Sequence, residues 1–150
     1  MASWNDFAAE EPAFAQRVLA LFTAHKHHTM ATVRKDGAPR ISGTEVDFGE
    51  DGLAVGMMGG SLRAADLRRD GRVALHSSTA DPDDDPTFWP GDAKIHGKAV
   101  EVQQHTGPSG SDRFLIDLNE VVITRVGTPA DHLIIEAWHP GRGVDRLERR

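Results

Sequence analysis

Hydrophobic positions recur at helical spacing over one long stretch. Phe7, Phe14, Val18, Leu21 and Phe22 fall near one face and predict a helix over residues 6–25. Asp6 is placed to cap its start, Pro12 lies early enough to be tolerated, and Glu10 and Glu11 suit a first turn. The period then shortens. Thr29–Val33 reads as a short strand, Lys35-Asp36-Gly37-Ala38-Pro39 as turn chemistry, and Arg40–Phe48 as a second strand. Gly49-Glu50-Asp51-Gly52 is another turn, and Leu53–Met58 a third strand. Gly59-Gly60 breaks it, and a short helix over Ser61–Arg69 is stopped by Asp70-Gly71. Arg72–Ser77 is the fourth strand.

Residues 79–92, rich in proline and aspartate, read as a loop. Ala93–Gln103 is a fifth strand, and Gln104–Asp112 a Gly/Pro/Ser loop. Phe114, Ile116 and Leu118 alternate with polar neighbours, and Val121–Val126 extends or follows that strand. His132–Trp138 is the last strand, and the basic tail Arg142–Arg150 reads as exposed. Short strands on tight turns, with one leading and one inserted helix, predict a mainly β, antiparallel barrel in a single domain over residues 1–150.

Composition narrows the class. Surface scaling for 150 residues gives about 7,500 Å² exposed when folded, so roughly two-thirds of the open chain's surface can be buried. That suffices for a core without staples. The absence of cysteine excludes disulfides, thiolate metal sites and cysteine catalysis. Seventeen Lys+Arg against 23 Asp+Glu leave a net charge of −6, which argues against a nucleic-acid partner. No apolar run reaches the roughly 18 residues of a membrane span, and the first residues lack signal-peptide character, so a cytoplasmic location is expected.

The chemistry-bearing stretch is Gly59-Gly60-Ser61-Leu62-Arg63. Paired glycines between a strand and a helix admit a ligand close to the backbone. The first-turn N–H groups, the Ser61 hydroxyl and the forked Arg63 cation then make a phosphate cradle, and Arg40 on a neighbouring strand can add a second charge. The same residues also read as an ordinary helix cap followed by solvating arginines.

This segment and its surroundings resemble the pyridoxamine 5′-phosphate oxidase-related split-barrel flavoproteins. The residues that carry the resemblance are Ala31-Thr32-Val33, Asp36-Gly37-Ala38-Pro39-Arg40, Leu53–Met58, Ser61-Leu62-Arg63, Asp66-Leu67 and Asp70-Gly71-Arg72-Val73-Ala74-Leu75. The resemblance covers about residues 25–105. The resemblance implies a split β-barrel homodimer with FMN, or in some branches a deazaflavin coenzyme, at the dimer interface. It implies that Arg40, Ile41, Ser42, Gly56, Met57, Ser61, Leu62 and Arg63 line the cofactor, with Ser61, Arg63 and Arg40 on its phosphate. Leu62 stands where that family usually has arginine and Arg63 where it has lysine, leaving one cation in place of two. The implied activity is a flavin-dependent oxidoreductase acting on a small molecule. The alternative is a non-catalytic module of the same fold carrying flavin, deazaflavin or haem. Trp138 and Arg146-Leu147 only faintly echo the substrate-binding end of the oxidase itself, so pyridoxamine phosphate is not carried over as substrate.

Other features weigh less. His25, His27 and His28 cannot easily converge on one metal ion from a regular element and read as a polar junction. The aspartates at 81 and 83–85 lack the glycine and distal glutamate of an EF-hand loop. Phe88-Trp89 either covers a cofactor or partner or docks on its own barrel, and Trp138 reads as an aromatic closing the barrel. No nucleophile elbow, P-loop or acid–base pair is visible.

Overall fold

The computed structural model describes residues 2–150. The leading helix is two helices, α1 (Trp4–Glu10) and α2 (Pro12–Thr23). Pro12 does not sit inside one long helix but opens the second, where its missing N–H costs nothing. The cap of α1 is Ser3, whose Oγ accepts from the Asp6 N–H at 3.1 Å, so Asp6 is a first-turn acid and not the cap.

The strands are β1 (His28–Val33), β2 (Pro39–Thr44), β3 (Val46–Gly49), β4 (Gly52–Met58), β5 (Arg72–His76), β6 (Asp92–Gln103), β7 (Ser111–Val126), β8 (Leu133–His139) and β9 (Gly143–Arg149). Helix α3 (Leu62–Arg69) is inserted between β4 and β5. Every strand pairing is antiparallel, in the order β2-β1-β5-β6-β7-β4-β3, with β8 and β9 branching from β7. The expected antiparallel split-barrel architecture is therefore present, and the sheet curls without closing. Its two path ends, β2 and β3, are separated in sequence only by Glu45 and do not pair. The single strand expected over Arg40–Phe48 is thus two strands, because the chain steps across the split at Glu45.

Two further elements differ from the sequence reading. The strand around Phe114 and the run Val121–Val126 are one sixteen-residue strand, β7. A register shift opposite His96/Gly97 absorbs the extra residue at Asn119. Gly97 sits at that bulge because a side chain there would overlap the Asp117 carbonyl. The basic tail is also a strand: β9 pairs with β8 from Leu133↔Arg149 to His139↔Gly143. Its side chains are mostly exposed, so it carries almost no apolar alternation and reads as a tail.

The core lies inside the curled sheet and is plugged by α1 and α2. Trp4 packs edge-on to Phe48 (4.7 Å), Phe7 against Trp138 (4.7 Å) and Phe22 against Phe48 (6.0 Å). Phe7, Val18 and Trp138 are completely buried, so Trp138 packs into the core from the end of β8, although the sheet it is expected to close stays open. Trp89 donates from Nε1 to the Ala80 carbonyl at 2.8 Å and ties the 79–91 loop to itself, while Phe88 stays exposed. No described helix is long and apolar enough to cross a membrane.

Candidate functional site

The start of α3 is built by a glycine turn and a serine cap. Gly60 has φ +79°, and Ser61 Oγ accepts from the Ala64 N–H at 3.2 Å. The Ala65 N–H bonds to the Ser61 carbonyl. The N–H groups of Leu62 and Arg63 precede the first intrahelical bond and remain free, as helix geometry requires. Ser61 therefore is a helix cap, and its hydroxyl proton is still available to an anion.

The two arginines are tied into the protein by one edge each. Arg63 Nη1 donates to the Gly43 carbonyl, which fastens the helix start to β2. Arg40 Nε donates to Asp66 Oδ2 at 2.6 Å. Each guanidinium keeps further N–H donors. Asp66, on the inner face of α3, also accepts from Thr32 Oγ1 (2.8 Å) and Arg69 Nη2 (2.9 Å). Burial pushes its pKa up, but the hydrogen bonds from Arg40, Thr32 and Arg69 and the charge of Arg40 outweigh that and hold it below the usual carboxylate range.

The remaining expected residues divide by face. On β2, Ile41 points outward and is 75% exposed, while Ser42 is half-buried on the face it shares with Arg40. On β4, Gly56 is exposed, but the Met57 side chain enters the core, leaving only its backbone for a ligand. Leu62 and Met58 are 68% and 79% exposed beside the glycine turn. Arg63 and Arg40 both lie along the α3–β2 seam, Arg63 at Gly43 beside the Ser61 cap and Arg40 one helical turn further on at Asp66, with Met58 and Leu62 exposed beside the cap.

Sequence reasoning missed a buried cluster next to the glycine turn. Asp112, fully buried at the start of β7, accepts at Oδ1 from the His105 N–H (2.7 Å), His105 Nδ1 (2.9 Å) and Arg68 (2.9 Å). Burial raises its pKa, but these donors and the Arg68 charge pull it down to about 2. The His105 ring lies directly on Gly59, where any Cβ would overlap it. Nothing in the local sequence marks this pair, because His105 sits in a segment that reads only as a Gly/Pro/Ser loop.

The histidines at 25 and 27 are exposed, and His28 starts β1 as a buried residue against Phe22. Among the described residues no group of histidines and carboxylates is arranged to hold a metal. The loop aspartates serve local geometry: Asp85 accepts from the Thr87 N–H and hydroxyl.

The geometry defines a class of fold: a split barrel of the pyridoxamine 5′-phosphate oxidase-like kind. The chain is similar to PhzG from Burkholderia lata 383, solved with tetrahydrophenazine-1-carboxylic acid (TM-score 0.68, 12% identity, 98% of this chain and 95% of that one). It is also similar to a pyridoxamine 5′-phosphate oxidase-related, FMN-binding protein from Nostoc punctiforme (TM-score 0.65, 10% identity, 93% and 96%). A third is a putative pyridoxamine 5′-phosphate oxidase from Listeria innocua (TM-score 0.53, 17% identity, 72% and 95%). No family model and no curated protein matches the sequence.

Proposed function

We propose that the chain binds FMN at the α3–β2 corner and acts as a flavin-dependent oxidoreductase on a small molecule. The observation that supports this reading is the Ser61-capped start of α3, with two free first-turn N–H groups beside Arg63 and with Arg40 one turn further along the same seam, in a fold also adopted by an FMN-binding protein. The donor set suits a phosphate monoester: backbone and guanidinium N–H groups and a hydroxyl proton face the anion, and no carboxylate there is left without a partner. Ser42 and the backbone at Gly56 and Met57 would lie along the ribityl chain and ring. Bound flavin would supply the two-electron chemistry. The protein's part is to hold the phosphate, orient the ring and exclude water.

The same corner would be completed by a second copy of the chain. Met58 and Leu62 are exposed beside it and Ile41 on the other face of β2, and the accessible surface is 8474 Å², above the roughly 7,500 Å² that mass scaling gives for a monomer. Sedimentation is expected to show a dimer; a stable monomer with FMN bound would remove this part of the reading.

The test of the site is FMN titration followed by quenching of flavin fluorescence. The double variant Ser61→Ala/Arg63→Ala is expected to weaken binding by roughly tenfold or more, the loss expected for a charge-assisted contact. Unchanged affinity would overturn the assignment. Consumption of reduced cofactor with an acceptor separates an enzyme from a carrier module.

A further inference from the structure

The opposite end of α3 carries a second cationic site. An open groove of about 770 Å³ lies between the β1–β2 turn, the C-terminal half of α3 and β6. Six cations line it (Arg34, Lys35, Arg68, Arg69, Arg72 and Lys98) against two acids, Asp70 and Glu101. Several of these charges are already matched. Arg68 pairs with Glu101 and Asp112, Arg69 with Asp66, and Arg72 with Asp70. Among the described residues, Arg34, Lys35 and Lys98 have no ion-pair partner, so the groove keeps a surplus of unmatched positive charge.

That surplus runs against the charge of the molecule. The whole chain carries −6. Arg72 and Lys98 stand directly opposite each other on β5 and β6, a like-charge pairing relieved by Asp70 on Arg72 and by Asp117, which stands opposite Lys98 on β7. The C-terminal pole of α3 faces this end with its carbonyls, and Arg68 and Arg69 offset it. Cations gathered on three elements around one concavity raise the local positive potential.

We propose that this groove binds a compact small molecule bearing several phosphate charges, at a place separate from the cofactor corner. A single negative charge would leave two of the three free cations unmatched. A long polyanion is disfavoured by the net charge and by the exposed aspartates at 81 and 83–85. The inference does not depend on flavin binding at the other end of α3.

The test is calorimetric titration of the full chain with tripolyphosphate at low salt. One saturable site is expected, weakening as salt rises. Lys35→Glu/Lys98→Glu should lower affinity by roughly tenfold or more, and Lys98→Gln alone by about threefold, with circular dichroism reporting the fold. Lys26→Glu/Arg149→Glu makes the same charge change elsewhere on the surface and should stay within about twofold. Saturating FMN and the Ser61→Ala/Arg63→Ala variant should leave tripolyphosphate binding unaltered. The proposal is overturned by no saturable binding, by equal loss in the control variant, by citrate binding more tightly than tripolyphosphate, or by competition with FMN. Competition would instead place the anion at the Ser61 corner, so failure here is distinguishable from failure of the flavin reading.

Discussion

The two ends of α3 use arginine in opposite ways. Towards the N-terminal end, Arg63 is fastened to a backbone carbonyl of β2, and Arg40 to the buried Asp66 carboxylate in the middle of the helix. At the C-terminal end, Arg68, Arg69 and Arg72 are matched by acids, yet Arg34, Lys35 and Lys98 crowd beside them unmatched. The first end is preorganised: its cations are aimed before any ligand arrives. The second is a reservoir of charge whose side chains are long, exposed and free to adapt. Preorganised cations favour one oriented group, whereas a loose cluster favours total charge over shape.

The sharpest way to break the comparison is to remove what fixes the first end. Asp66 is 2% exposed and holds Arg40, Thr32 and Arg69 together. Asp66→Ala leaves two part-exposed guanidinium groups and the buried Thr32 hydroxyl without their acceptor and is expected to cost about 2–3 kcal/mol. Urea denaturation measures this; a loss below about 1 kcal/mol would mean that α3 is held by its apolar face alone. The same clamp sets an acid limit. Asp66 and Asp112 both have depressed pKa values, so their contribution is complete above the ordinary carboxylate range and is lost as pH falls. For Asp112, at about 2, stability should decline from about pH 4 down to about pH 2. In Asp66→Asn part of that decline should disappear, and an unchanged acid midpoint would count against the clamp.

A second variant probes the cluster that the sequence concealed. Gly59→Ala drives a methyl into the His105 ring. Overpacking of this kind costs about 1–3 kcal/mol unless the 104–110 loop swings away. Gly59→Ala/His105→Ala removes the obstruction and should recover most of the loss. If the double variant is no better than the single, Gly59 is required for some reason other than the ring above it.

What could be read in advance follows physical scale. Strands β1, β4 and β5 and helix α3 declare themselves because their apolar alternation, glycine breaks and caps are local. The glycine turn and the Ser61 cap were legible for the same reason: they lie within five residues, 59–63. The break at Glu45 was not, because both flanking strands share one β-prone composition and only the curl of the sheet separates them. β9 was hidden by exposure, since a strand with little buried surface shows little hydrophobic period. The His105–Asp112 pair and the groove of Arg34, Lys35, Arg72 and Lys98 arise from tertiary approach, which no spacing along the chain encodes.

The smallest effect separates the two roles that Ser61 can hold. Its Oγ satisfies the Ala64 N–H, so Ser61→Ala is expected to cost about 1 kcal/mol by loss of the cap, with or without flavin. Ser61→Gly keeps a tolerable cap residue and should cost only a few tenths of a kcal/mol, yet it also deletes the hydroxyl. If Ser61 acts only as a cap, the glycine variant binds FMN as the native chain does. If the hydroxyl donates to the phosphate, both variants lose affinity equally while only the alanine variant loses stability. Measuring urea midpoint and FMN affinity on the same pair decides between these, because stability responds to the helix and affinity to the ligand. A glycine variant with native affinity would transfer the anion-holding role to Arg63 and the free N–H groups of the first turn.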